Sequence, residues 1–239
     1  MIPKILHYVW VGGPLPAAQQ AFIASWRETN PDFEIIGWNE RNIDMSSTII
    51  RHAYRDKKWA KVADIARLQA VLTMGGIYLD TDFRLYQSLA PMLKYSCFYA
   101  FQETDGHSSD LVCNGVFGAE PNHWFVREAL DGLYAMKPNW IMPERPTMFG
   151  PKHITRLLRR HGLQGYAPHG VTIKDIFIAP MPWFFPFHFD EEFTPDCITA
   201  ETLAAHFWEK SWATSIPLPV RIVKAILLRY RRFWASLTV

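Results

Sequence analysis

The chain of 239 residues has little cysteine, little net charge and no long apolar run. Cys97, Cys113 and Cys197 are its three cysteines, widely spaced. They form neither a Cys-x-x-Cys pair nor the even count of a disulfide framework, so a reducing compartment is expected. Lysine and arginine number 25 against 23 aspartates and glutamates, a formal charge of +2. That balance excludes a global field for capturing nucleic acid and gives no reason for disorder, and no nucleic-acid-binding motif is present. No window approaches the roughly 20 uncharged apolar residues of a membrane span. The opening Met1-Ile2-Pro3-Lys4-Ile5 lacks the charged region, apolar stretch and cleavage site of a secretory signal. A cytoplasmic protein, peripheral to a membrane at most, is the expectation.

What is present is an apolar half, at 49% of the residues, enough for one sizeable core, and an aromatic content of 15% with ten tryptophans. Most of those rings are expected in the core, although stacking on nucleobases or sugars suits them too. Ile5 to Val11 reads as a buried strand closed by Gly12-Gly13-Pro14, Ala17 to Thr29 as a helix, and Phe33 to Trp38 as a second strand. Strand, helix, strand is the opening of an α/β fold with a mostly parallel sheet. Asn39 to Lys57 is polar, a loop with a short helix. Trp59 to Met74 carries Val62, Ile65, Leu68 and Leu72 at helical spacing and stops at Gly75-Gly76. Ile77-Tyr78-Leu79, Cys97 to Phe101 and Leu111 to Phe117 complete a sheet of five or six strands. The proline- and aromatic-rich C-terminal third reads as irregular cover. One domain over residues 1–218 is expected, followed by a basic amphipathic helix over 219–239.

The chemistry concentrates at Asp80-Thr81-Asp82, directly after the Ile77–Leu79 strand. In an extended segment residues i and i+2 point the same way, so both carboxylates would face one side with Thr81 turned away. Two such carboxylates call for a hard cation, Mg²⁺ or Mn²⁺. At the carboxyl end of a strand, that cation can neutralise a departing diphosphate. Asp-x-Asp alone is more often a solvated turn. Here a helix bearing Asp64 and Arg67, three residues apart on one face, precedes it, and a surface ion pair is the plain alternative for those two.

Ala63-Asp64-Ile65-Ala66-Arg67 followed by Gly75-Gly76-Ile77-Tyr78-Leu79-Asp80-Thr81-Asp82 resembles the signature of glycosyltransferase family 32. Ile2 to Trp10, Trp38-Asn39, Asn114, Phe149-Gly150-Pro151 and His206…Ser211-Trp212 extend the resemblance over residues 2 to 212. That family includes yeast-type mannosyltransferases and bacterial capsule or lipo-oligosaccharide enzymes, and is related to the glucosylating domains of large clostridial toxins. The resemblance implies a GT-A-like fold, a nucleotide-sugar donor, Mn²⁺ or Mg²⁺ with Mn²⁺ favoured, and retention of configuration. By position it implies that Val9 and Trp10 line the nucleobase pocket. Asp64 and Arg67 would contact ribose, phosphate or donor sugar, and Tyr78 and Asp80 would complete the ribose and metal region. Asp82 and His206 would ligate the cation, Ser211 and Trp212 would reach the diphosphate, and Asn114 would sit at the reacting centre. Plainer readings are a core aromatic for Trp10, a buried helical histidine for His206 and a turn residue for Asn114. The toxins carry serine where this chain has Ala63, so a hydroxyl contact there is absent.

Glu103, Asp105 and Asp110, in a polar loop, are candidates for the sugar and acceptor side. The acceptor expected is a glycan or lipid-linked glycan of a bacterial surface polysaccharide or lipo-oligosaccharide, and the donor a UDP-hexose. Arg221, Lys224, Arg229, Arg231 and Arg232 flank an apolar stripe in the terminal segment. This pattern suits an anionic membrane surface, or equally a helix packed on the domain. Two competing functions were weighed. An Asp-based phosphotransferase usually continues Asp-x-Asp-x-Thr/Val, whereas Arg84 stands at that position. A non-catalytic sugar-nucleotide-binding module would not need Asp82 and His206…Trp212 together.

Overall fold

The computed structural model describes residues 1–136 and 149–209. The chain divides into two compact units, Met1–Phe207 and Trp208–Val239. The expected boundary at 218, the terminal helix, Ser211 and Trp212 lie outside the described residues.

The first unit is built on a seven-stranded sheet in the order β2-β1-β3-β6-β5-β8-β7. Its strands are β1 (Ile5–Val9), β2 (Glu34–Trp38), β3 (Gly76–Leu79), β5 (Cys97–Phe101), β6 (Val112–Ala119), β7 (Val171–Ile173) and β8 (Ile176–Ala179). A separate antiparallel pair joins β4 (Phe83–Leu85) to β9 (Ala204–His206). The helices are α1 (Ala17–Thr29), α2 (Thr48–Arg55), α3 (Trp59–Met74), α4 (Trp124–Tyr134), α5 (Pro151–Arg160) and the single turn α6 (Met181–Phe184). Strands β3, β5, β6 and β8 are buried along their whole length, and α3 packs against β1, β3 and β6.

The α/β class stands, but the sheet is mixed rather than mostly parallel. Pairs β1–β2, β1–β3 and β5–β8 are parallel, whereas β3–β6, β5–β6 and β7–β8 are antiparallel. The cause is local: the connection from β5 to β6 contains no helix to serve as a crossover, so the chain can only turn back. The C-terminal third is also less irregular than its proline content implies. It supplies the β7–β8 hairpin at the sheet edge and β9 beside β4, which raises the strand count above the expected five or six.

Strand direction gathers the functional positions. The carboxyl ends of β1, β3, β5 and β8 and the start of β6 lie along one edge of the sheet. Trp10, Asp80, Glu103 and Met181 therefore follow the strand ends on the same side, and Asn114 lies near the start of β6 there, where open α/β sheets bind ligands.

Candidate active site

The Asp80-Thr81-Asp82 segment is a turn, not an extended continuation of β3. Asp80 N donates to Gly115 O at 2.8 Å, and Phe83 N closes the turn onto Asp80 O at 3.1 Å. Alternation therefore does not bring the two carboxylates together. What the β4–β9 pair brings together is His206 and Asp82: Phe83 stands in register with His206, and Phe207 N donates to Asp82 O at 2.9 Å. His206 Nε2 then lies 2.9 Å from Asp82 Oδ1. The imidazole is stacked on Phe83, centroids 4.6 Å apart, and meets the edge of Phe185 at 5.6 Å. His206 sits on a strand, so the helical reading of its surroundings is corrected. Trp26 Nε1 donates to Phe83 O at 2.8 Å, tying β4 to α1.

Asp64 and Arg67 are buried, at 6% and 5% exposure, so they are not a surface pair. The Arg67 guanidinium lies 3.2 Å from Asp80 Oδ1 and 3.4 Å from Asp64 Oδ1, donates to Asn114 O at 2.8 Å and to Ala63 O at 3.1 Å, and covers the Tyr78 ring at 4.6 Å. Tyr78 Oη donates to Asp80 Oδ1 at 2.8 Å, and Asn114 Nδ2 donates to Asp64 Oδ1 at 2.7 Å. Asn114 is thus a buried strand residue of β6, not a turn residue. Arg67 is the hub of a network joining α3, β3 and β6.

The electrostatics follow from this burial. Desolvation raises the Asp64 and Asp80 carboxyls above the ordinary range, against the opposing pull of Arg67. Burial works against the Arg67 charge too, but Asp80 and then Asp64 outweigh it, and the guanidinium is held above its usual value. Burial likewise opposes charge on His206, while Asp82 and Asp80 hold it above the normal imidazole value. Three carboxylates, Asp64, Asp80 and Asp82, face one permanent cation, Arg67. The site favours additional positive charge.

A divalent cation fits that deficit. Asp80, Asp82 and His206 each offer a ligand atom, and these atoms lie within 4.8 Å of one another. Two carboxylate oxygens and an imidazole nitrogen form a donor set suited to Mn²⁺ and acceptable to Mg²⁺.

The two residues expected at the nucleobase, Val9 and Trp10, are placed differently from each other. Val9 is buried at the end of β1 and belongs to the core. Trp10 is half-buried, with its N donating to Trp38 O at 2.9 Å and its indole Nε1 to Pro14 O at 3.1 Å, so it is not a core aromatic. Beside it Glu40 Oε1 accepts from Gly12 N at 2.7 Å and from Tyr54 Oη at 3.2 Å. The Tyr54 and Trp59 rings meet edge to face at 5.2 Å. Of the loop carboxylates, Asp105 accepts from His107 N at 2.9 Å, Asp110 accepts from Ser109 Oγ at 3.0 Å and lies 3.9 Å from Lys152 Nζ, and Glu103 reaches His188 at 3.1 Å.

Two glycines build the site: Gly150, part of the Phe149-Gly150-Pro151 resemblance, and Gly115, which the sequence reading does not single out. A Cβ on Gly115 would lie 2.5 Å from Asp80 Oδ2, and one on Gly150 would lie 2.8 Å from Asn114 Oδ1. Gly115 lies in the interior of the largely apolar strand β6, a recognised sign of close backbone approach, and that signal could have found it.

Comparison with known proteins defines the class. Residues 16–99 match the family described as glycosyltransferase sugar-binding region containing DXD motif. The match includes Asp64, Arg67, Tyr78, Asp80 and Asp82. Over that stretch the chain is similar to the sugar-binding DXD region of this family. It is similar to a mannosyl phosphorylinositol ceramide synthase of Saccharomyces cerevisiae, 28% identical over 171 residues, 67% of this chain and 43% of that protein. It is also similar to the lactosylceramide 4-alpha-galactosyltransferase of Mus musculus, 29% identical over 170 residues, 67% of this chain and 44% of that protein. The chain thus spans less than half the length of these relatives. Among solved structures the PaToxG glycosyltransferase superposes with a TM-score of 0.53 at 16% identity, covering 66% of this chain and 68% of that one, a likeness of fold.

Proposed function

We propose that the protein is a metal-dependent, retaining hexosyltransferase that moves a hexose from a nucleoside-diphosphate sugar, UDP-hexoses first, to a glycan or glycolipid. The observation that carries this reading is the cluster of Asp80, Asp82 and His206, joined through Arg67 to Asp64 and Asn114 at the carboxyl edge of the sheet. Asp80, Asp82 and His206 would hold Mn²⁺ or Mg²⁺, which supplies Lewis-acid neutralisation of the leaving diphosphate. Arg67 adds a fixed positive charge beside that group, and Asp64 and Asn114 take up hydroxyls of the donor. Trp10 and Val9 border the base.

Asn114, the residue assigned to the reacting centre, is an amide and cannot serve as the base that inversion requires. Retention follows when the acceptor hydroxyl attacks from the leaving-group face. The bond from the anomeric carbon to the diphosphate breaks, the new glycosidic bond forms, and the hydroxyl proton passes to the departing phosphate.

The names of the two relatives both contain ceramide, which supports a glycolipid acceptor. We assign the product to a surface polysaccharide or lipo-oligosaccharide. The basic segment 219–239 would bring the enzyme to an anionic membrane, and no helix among the described residues is long and apolar enough to cross one. The decisive experiment is donor hydrolysis over a panel of UDP and GDP hexoses with and without Mn²⁺, with Asp82→Ala as control. Turnover of at least one donor that requires the metal and Asp82 is expected. Metal-independent turnover, or a fully active Asp82→Ala protein, would overturn the reading.

A further inference from the structure

A cavity of about 370 Å³ opens on the same edge of the sheet as the cation cluster, at the low end of the ~300–1,000 Å³ typical of small-ligand sites. Its position follows from topology. Parallel strands β5 and β8 end side by side, Ala100 against Ala179, so Glu103 after β5 and Met181 after β8 face each other across the opening. The lining is of two kinds. Met181, Pro182 and Pro186 present apolar surface above the buried Phe185 and Phe187, and Glu103, His188 and Glu191 present polar groups. Phe185 is shared with the cation cluster through its edge contact with His206.

The polar groups are held in place before any ligand arrives. His188 Nε2 lies 3.1 Å from Glu103 Oε2, its Nδ1 lies 2.6 Å from Asp190 Oδ1, and its backbone N donates to Glu191 Oε2 at 2.7 Å. Glu103 Oε1 accepts from Thr104 N at 3.1 Å. From α5, Arg159 donates to Gly106 O at 2.9 Å and Ser108 O at 2.8 Å, so the loop that follows Glu103 is clamped. Although burial opposes its charge, the bonds to Asp190 and Glu103 hold His188 above the ordinary imidazole value. Even with that charge, the two lining carboxylates, Glu103 and Glu191, leave the cleft net negative. A carboxylate has about four lone-pair sites, so Glu103 and Glu191 retain capacity for further donors. Among the described residues the one cluster close enough to share a metal is Asp80, Asp82 and His206, so this cleft is not a second cation site.

We propose that this cleft is the acceptor subsite and takes a neutral pyranose, with Glu103 and Glu191 accepting from its ring hydroxyls and Met181, Pro182 and Pro186 covering its C–H face. The assignment rests on the transferase reading and adds the class of acceptor. Hydroxyl donors match carboxylate acceptors, apolar side chains match the carbon face of a sugar ring, and the negative balance excludes acidic sugars. An acyl chain does not suit it, because half of its polar lining would be left without partners.

The test measures binding, so that it does not depend on turnover. Methyl glycosides of glucose, galactose, mannose and N-acetylglucosamine, with methyl glucuronide as the acidic control, are titrated into the full chain by ligand-observed NMR. UDP with Mn²⁺ is titrated separately by calorimetry. At least one neutral glycoside is expected to bind, and Glu103→Gln and Glu191→Gln each to weaken it about tenfold or more while UDP–Mn²⁺ affinity is retained. The two isosteric variants guard against misfolding, since retained UDP affinity reports an intact domain. No binding of any neutral glycoside, preference for the glucuronide, or undiminished glycoside binding by both variants overturns the cleft assignment. If UDP–Mn²⁺ does not bind the parent chain, the transferase reading itself fails, and the glycoside titration is then scored apart from it.

Discussion

His206 Nε2 rests 2.9 Å from Asp82 Oδ1, joining residues 124 apart through the pairing of two three-residue strands. Asp82 is the member of the triplet on which this contact falls, whereas Asp80 is shared between Arg67 and the Tyr78 hydroxyl. The two aspartates should therefore behave differently. Asp82→Ala and His206→Ala are each expected to lower Mn²⁺-dependent donor hydrolysis by at least about 100-fold, because each deletes a proposed ligand to the cation. Excess Mn²⁺ should restore His206→Ala in part and Asp82→Ala hardly at all. A metal titration of hydrolysis rates checks this, and identical metal curves for parent and variants would show that the cluster is not the cation site.

Gly115 tests the same cluster without touching a charged group. A methyl at this position lies 2.5 Å from Asp80 Oδ2 and 3.2 Å from Cys113 Sγ, so Asp80 must rotate away. Gly115→Ala should weaken Mn²⁺ binding by about 10- to 100-fold, the range of changes that misorient a ligand without removing it. Calorimetry with Mn²⁺ reads this directly, and unchanged affinity would mean that Asp80 is not needed where it stands.

The contrast between these residues shows what was readable in the sequence. Asp64, Arg67, Asp80 and Asp82 lie within nineteen positions of one another, and the resemblance over that short stretch associates them, although the alternation expected to pair the two carboxylates fails because the triplet is a turn. Their burial was not readable, because α3 is apolar nearly all round and one face cannot be told from another by pattern. His206 was identified by resemblance, but its strand is three residues long and exists only because β4 lies opposite. The β7–β8 hairpin was missed for a related reason. It turns at Lys174-Asp175, with Lys174 at φ +56°, and lacks the Asn-Gly or Asp-Gly pair that announces such a turn. The mixed sheet was misjudged because nothing in the β5–β6 connection distinguishes a return from a crossover except the absence of a helix.

Arg67 joins stability to function. Removing the guanidinium in Arg67→Met leaves the buried Asp64 and the half-buried Asp80 without their cation and takes a donor from Asn114 O. A loss of about 3–5 kcal/mol in unfolding free energy is expected, the usual consequence of breaking one side of a buried charged network. Arg67→Lys should recover part of the loss, because it restores charge but not the forked geometry. Urea unfolding of the three proteins measures both effects. Equal stability of Arg67→Met and parent would show that solvent, not Arg67, satisfies these carboxylates.

His7 sets an acid limit on the fold that is separate from the cation cluster. Its ring is fully buried between β2 and β3. Nδ1 accepts from Trp38 Nε1 at 3.0 Å, and Nε2 donates to Gly75 O at 2.7 Å, which fixes the neutral tautomer. Burial depresses its pKa from 6.5 to about 4, with the Gly75 contact opposing weakly. Above pH 6.5 the folded and unfolded chains both hold His7 neutral, and it has no effect on the pH dependence. Below 6.5 the unfolded chain takes up the proton first, so stability falls as pH drops, by about 2 kcal/mol at pH 5 and about 3 kcal/mol once the pH is below 4. His123 and His153, also depressed by burial, act in the same direction, so the comparison must be between proteins rather than between pH values. His7→Gln, which cannot titrate, should be less stable than the parent at pH 7.5 and should lose less between pH 7.5 and 5. Urea unfolding at the two pH values gives the difference, and equal slopes for parent and variant would show that His7 does not carry the acid sensitivity.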